Sequence, residues 1–181
     1  MSARAALRAG TAAEHERVDR LFSGLNFGRA DDYRRFLLAQ AAAYLPIEAA
    51  LDAAGAEALL DDWSSRRRAP LLFADLGEMG LAAPAPSAAP SFVNPAQMLG
   101  AIYVLEGSRL GGALLKRGIG EGLPRRFLDA PQKPGSWRKL LDNMERFLYR
   151  SDQLEAAVGA AKSVFQGFEA GGLRYLESGR T

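Results

Sequence analysis

The chain has 181 residues, a formal net charge of +2 and 48% hydrophobic residues, which suits one compact domain with a substantial core and excludes a disordered chain. It has no cysteine, which rules out disulfides, cysteine–zinc sites and thiol nucleophiles and fits a reducing compartment such as the cytoplasm. No secretory leader and no uncharged apolar run of about 20 residues is read, and so small a charge does not argue for nucleic acid, so neither a membrane nor a nucleic acid is expected as a partner.

Alanine and leucine dominate and β-branched residues are sparse, so an all-α fold is expected. Leu7, Thr11, His15, Val18 and Phe22 recur at helical spacing and predict a first helix over residues 4–23. Gly24 and Gly28 punctuate its end. Asp31 and Asp32 open a second helix, with Tyr33, Phe36, Leu37, Tyr44, Ile47 and Leu51 on its apolar side; Pro46 should kink or divide it. Residues 56–79 read as shorter helical pieces broken near Ser64 and Pro70, with Arg66-Arg67-Arg68 as a solvated helix face. The stretch GLAAPAPSAAPSF, residues 80–92, is proline-rich and reads as a loop within one domain. Asn94-Pro95, with Gln97 after it, starts a helix running to about Arg117. Ser136 opens another, carrying Trp137, Leu140, Leu141, Met144 and Phe147. A last helix carries Leu154, Val158, Ala161, Phe165 and Phe168. With no strand pattern, internal repeat or second domain, residues 1–181 are read as a single-domain helical bundle.

The segment LEGSRLGGAL, Leu105–Leu114, places Gly107, Gly111 and Gly112 inside a helical pattern. Each glycine in a helix interior costs roughly 1 kcal/mol relative to alanine. On an ideal helix Gly100, Gly107, Gly111 and Gly118 point the same way to within about 40°. They form a bald line, with Gly112 off it and Tyr103 and Ser108 flanking it. Two bodies could use such a line: a neighbouring helix, since Gly107 and Gly111 are four apart, or a flat, rigid ligand. Adjacent glycines also allow the helix to bend.

His15 is the single histidine. That excludes a helical di-iron site built on paired Glu-x-x-His motifs and a three-histidine zinc site. It falls on the apolar stripe of the first helix and is expected to face inward. It then serves either as a core histidine satisfied by a hydrogen bond or as one axial ligand to a metal already held by a macrocycle. Arg8, two turns earlier on nearly the same face, lies about 10 Å along the axis, a reach from a haem iron toward its propionates. Asp19, one turn later, could accept the proton of the other ring nitrogen.

LRAGTAAEHERVD (Leu7–Asp19) resembles the proximal helix of haem oxygenases, with its Leu-Arg/Lys, Thr and His, and YVLEGSRLGGALL (Tyr103–Leu115) resembles the distal helix of their bacterial members. The resemblance implies a haem oxygenase-type bundle, with haem b, both cofactor and substrate, between the first helix and a kinked glycine-rich distal helix. It implies oxidative cleavage to biliverdin, iron and carbon monoxide, using dioxygen and electrons from a reductase or ferredoxin. By motif match His15 is the iron ligand, Gly107, Gly111 and Gly112 the distal glycines, and Arg8, Thr11 and Tyr103 haem-binding positions. A basic residue on a later helix, Arg138, Lys139 or Arg150, would assist at the propionates, with Arg138 preferred; Phe165 and Phe168 are candidate pocket walls or plain core. Ser108 stands where animal members carry an aspartate, so distal water must be held by serine, backbone carbonyls or other groups. Asp19 is shorter than the glutamate often found at its site. A haem carrier or sensor without turnover, and a haem-free helical interaction module, remain the alternatives.

Overall fold

The computed structural model describes residues 2–85 and 90–177, apart from the side chains of Ala113, Leu114 and Glu177. Ten α-helices account for the regular structure of the described residues, joined by a short 3-10 turn (Lys116–Gly118) and ended by a π-helical turn (Leu173–Glu177); no strand occurs among them. Helix α10 (Ser151–Gly172) is the axis of the bundle. Against it pack α1 (Ala3–Gly10), α2 (Ala12–Phe22), α3 (Ala30–Ala53) and α7 (Pro95–Leu115). Small residues let these helices approach closely. A Cβ on Gly100 of α7 would overlap the carbonyl of Ala157 in α10, and one on Gly171 of α10 would overlap the carbonyl of Ala39 in α3. One continuous core runs from Ala3 and Leu7 through Leu99, Ile102 and Leu105 to Ala161, Val164 and Phe168.

The expected first helix is two helices. Thr11 leaves helical geometry at φ −112° and ψ 7°, and its hydroxyl donates to the Leu7 carbonyl at 2.8 Å, a back-bond that bends helices. The break falls where the chain presses on α10: a Cβ on Gly10 would lie 2.7 Å from Val158 Cγ1.

Pro46 neither ends nor divides α3, which is helical throughout residues 30–53; Tyr44, Ile47 and Leu51, all buried, hold it on both sides of the proline. This helix is long and apolar enough to cross a membrane by length and composition, but more than half of that window is buried inside the bundle. The pieces after it are α4 (Ala56–Leu59), α5 (Trp63–Arg66) and α6 (Ala69–Glu78). The breaks therefore fall at residues 60–62 and 67–68. Ser64 lies within α5 and Pro70 in the first turn of α6, where its missing N–H costs nothing. Of the expected loop over 80–92, residues 86–89 lie outside the described residues, and 81–85 and 90–92 have no regular structure.

Helix α7 starts as its sequence predicts. Asn94 Oδ1 accepts from the Gln97 N–H at 2.9 Å while Gln97 Oε1 accepts from the Val93 N–H at 2.8 Å. The backbone stays helical through Gly107, Gly111 and Gly112. A one-turn helix, α8 (Arg126–Asp129), and α9 (Ser136–Phe147) follow; α9 packs on α7 and α1.

The glycines of α7 thus differ in what they face, and alanine should separate them. Gly100→Ala is expected to destabilise the protein by about 2 kcal/mol or more, because two backbones must part. Gly111→Ala, where a Cβ meets nothing within 4 Å, should stabilise the ligand-free chain by about 0.5–1 kcal/mol. Urea unfolding of both variants measures the contrast.

Candidate functional site

His15 stands on α2, which is pinned to α10 by Arg17 Nε donating to both carboxylate oxygens of Glu169 at 3.1 and 3.2 Å. The imidazole does not face inward. Its side chain is 62% exposed, and its ring meets Phe165 of α10 edge-on, with centroids 5.6 Å apart. The stripe that predicted burial is real, but His15 lies on its margin, where α10 supplies one aromatic edge and no lid. Nδ1 lies 3.0 Å from Asp19 Oδ2. In the neutral ring that contact assigns the proton to Nδ1 and leaves the Nε2 lone pair without a partner among the described residues.

The bald line of α7 divides. Gly100 is filled by α10, and Gly112 lies 3.4 Å from Leu128 Cδ2 by its would-be Cβ; at Gly107 and Gly111 a Cβ would meet nothing within 4 Å. Among the described residues no neighbouring helix occupies those two positions. Gly118 lies beyond α7, in the 3-10 turn. At the near end of the strip Tyr103 is half-buried and its ring lies against Trp137 of α9, centroids 5.7 Å apart.

Beneath α7 lies a buried polar layer that corrects the reading of Arg66-Arg67-Arg68 as a solvated face. Arg66 and Arg68 are each 3% exposed, and Arg67 alone reaches the surface. Arg66 pairs with Asp62 at 2.9 Å and with Glu106 at 3.2 Å, and donates to the Ser136 carbonyl. Glu106 also pairs with Arg109 at 3.2 Å and accepts from Gln132. Arg109 in turn donates to the backbone carbonyls of Arg66 and Pro131. Burial, opposed by Glu106, lowers the Arg109 pKa.

Arg68 is held differently. Its Nε donates to Tyr44 Oη at 3.2 Å, and its Nη2 donates to the Leu105 carbonyl at 3.1 Å and to Ser108 Oγ at 2.8 Å. The guanidinium lies over the rings of Tyr44 and Phe127. The Ser108 hydroxyl donates to the Leu105 carbonyl at 2.6 Å. Burial pushes the Tyr44 phenol up to about 12, despite the pull of Arg68, so Tyr44 stays neutral. Glu48 accepts the backbone N–H groups of Arg68 and Ala69 and so fixes the turn that carries Arg68; burial raises its pKa.

A chain of contacts links α2 to α7 by way of α10 and α3. His15 touches Phe165; Phe168, three residues along α10, touches Tyr44 with centroids 6.5 Å apart; Tyr44 accepts from Arg68, which reaches Ser108 beside Gly107. Of the other expected site residues, Arg8 is exposed on α1. Thr11 is buried with its hydroxyl spent on Leu7. Arg138 is 87% exposed, with a 3.9 Å contact to Asp142. Lys139 and Arg150 are paired with Asp61 and Asp152. Phe165 and Phe168 are both buried. Among the described residues no cluster of three or more His, Asp or Glu side chains could hold a bare metal ion. A single imidazole donor suits a metal that brings its own equatorial ligands.

Arg66, Arg68, Glu106 and Tyr44 escaped the sequence reading, yet a signal was there. Glu48 and Glu106 each interrupt an apolar helical run, and a carboxylate in such a run needs a buried partner.

No family model matches the chain. It is 30% identical over 112 residues to a heme oxygenase of Xanthomonas campestris pv. campestris, across 59% of this chain and 67% of that protein. The NO- and CO-bound heme oxygenase of Neisseria meningitidis superposes with a TM-score of 0.80 at 20% identity, covering 98% of this chain and 93% of that one. The heme oxygenase of Leptospira interrogans gives 0.76 at 21%, covering 96% and 100%. These two likenesses show the fold.

Removing the centre of the buried layer should be costly. Glu106→Ala leaves Arg109 buried without its carboxylate and takes one of two from Arg66. A loss of about 3 kcal/mol in urea unfolding is expected, against well under 1 kcal/mol for the exposed Asp142→Ala.

Proposed function

The chain belongs to the haem oxygenase family, and from that premise we propose that it opens haem b oxidatively to biliverdin, iron and carbon monoxide, using dioxygen and electrons from a cytoplasmic reductase or ferredoxin. The whole of residues 1–181 serves as one haem oxygenase domain in this reading. Two observations carry it: an exposed imidazole on α2 whose Nε2 has no partner among the described residues, and two glycines on α7 that no described residue opposes. Helix packing explains Gly100 and does not explain Gly107 or Gly111.

In this reading His15 binds the haem iron through Nε2, and Asp19 fixes the ring by holding Nδ1–H. Phe165 limits ring rotation from the α10 side. Arg8, Tyr103 and Arg138 take the two propionates, which a cation and a phenol suit as charge-assisted partners. Thr11 acts through the backbone: its bond to Leu7 sets the bend from which α2 presents His15. Gly107 and Gly111 let the helix backbone lie against the macrocycle, where side chains would collide with it; Gly112, the third distal glycine of the motif, is instead packed toward Leu128. Bound haem supplies the iron chemistry of dioxygen reduction. The chain supplies orientation, exclusion of bulk water on the α10 side, and polar groups at Ser108 and the nearby carbonyls that hold ordered water for proton delivery.

Hemin titration tests the reading. The native chain should give a sharp Soret band with near-stoichiometric binding; His15→Ala should lose or shift it, and Gly111→Leu should weaken binding by about tenfold or more. With a reducing system the native complex should develop a bilin spectrum and His15→Ala should not. Tight binding without bilin would favour the carrier, and no Soret band on the native chain would leave only the haem-free module.

A further inference from the structure

Helix α1 is two turns long and is parted from α2 by the non-helical Thr11. So short a helix does not hold its own shape in water, and its placement is decided by what it grips. Ala3 and Leu7 are buried in the core. At the N-terminal end the Ala3 N–H donates to Glu145 Oε1 of α9 at 2.9 Å, a contact that spans 142 residues of sequence. At the C-terminal end Gly10 lies against Val158 of α10. Two other helices therefore clamp α1 at both of its ends.

What the clamp presents is a pair of cations. Arg4 and Arg8 are both exposed and stand one turn apart on α1, which contains no acidic residue. Neither forms an ion pair among the described residues. The carboxylate that reaches α1, that of Glu145, accepts a backbone N–H. Like charges one turn apart repel, and a cation in the first turn opposes the helix dipole. Arg4 incurs both costs, and no contact among the described residues offsets them. At about 100° per residue Arg4, Arg8 and His15 fall on one row of the helical register, and the bend at Thr11 tilts the part of that row that carries the arginines. Resting on the haem reading above, we infer that α1 is a two-arginine grip for the carboxylate edge of the ligand: Arg4 joins Arg8 in holding the two propionates, and Glu145 is a positioning residue that keeps both arginines in place. The propionates supply the counter-charge that α1 lacks, through charge-assisted bonds.

The test titrates the full-length chain with hemin and with hemin dimethyl ester, whose propionates are esterified and uncharged, in one buffer at fixed ionic strength, followed by Soret absorption. The native chain should bind hemin more tightly than the ester. Arg4→Gln should weaken hemin binding about threefold, the scale of an exposed ion pair, and change ester binding by less than about 1.5-fold on that scale. Glu145→Ala should weaken hemin binding to a similar extent, and Glu145→Gln, which keeps an acceptor for the Ala3 N–H, should restore most of it. In the Arg4→Gln/Arg8→Gln background Glu145→Ala should have no further effect, because a positioning residue has nothing left to position. Arg4→Gln with native hemin affinity, or with hemin and ester weakened alike, overturns the inference. So does a Glu145→Ala effect of the same size with and without the two arginines. If Glu145→Ala does not fold, Arg4→Gln decides by the same criterion. A native chain that forms no hemin complex overturns the haem reading itself, whereas a native chain that binds hemin and the ester equally well overturns this inference alone.

Discussion

The contact between Gly100 and the backbone of Ala157 sets the geometry on which the rest depends. Because no Cβ intervenes, α7 lies directly on α10 at that point, and the later part of α7 is carried along with it. The same axis fixes α1 through Gly10 against Val158, and α2 through Arg17 on Glu169. Two walls that scarcely touch each other are positioned by what each shares with α10. An open face can then exist between them without loosening the core.

That open face is an exception to the way the rest of α7 behaves. Leu99, Ile102 and Leu105 are buried in the ordinary manner, and Gly107 and Gly111, in the next two turns, would meet nothing within 4 Å among the described residues. Two helical glycines with no packing partner lower helix stability without a structural return, which is the pattern expected where function and stability are in tension. Rigidity is restored from below. The layer of Arg66, Glu106 and Arg109 ties α7 to α5 and to the segment before α9 through charge-assisted bonds, so the strip is bare but anchored.

The two walls differ in how their charges are held. On α2 the Asp19 carboxylate faces the His15 imidazole at the surface. On α7 the buried Glu106 is matched by Arg66 and Arg109, and the Arg68 guanidinium donates to the Leu105 carbonyl and to Ser108 Oγ, whose own proton goes inward to Leu105. These contacts join residues far apart in the chain, since Arg68 and Ser108 are brought together by the fold alone.

The helical class, the capped start of α7, the start of α9, the presence of α10, and the two motifs carrying His15 and Gly107–Gly112 were all legible in the sequence, because they depend on periodicity and on neighbours within a few residues. Spacing alone could place Asp19 one turn from His15 for the same reason. The tertiary structure decided whatever depended on what each face meets. It parted Gly100 from Gly107 and Gly111, left His15 at the margin of its stripe, and turned a surface-like arginine run into a buried layer around Glu106 and Tyr44. Helical periodicity gives a side chain's direction about its own axis; whether another helix, a carboxylate 40 residues away or open space lies in that direction is settled only when the helices pack.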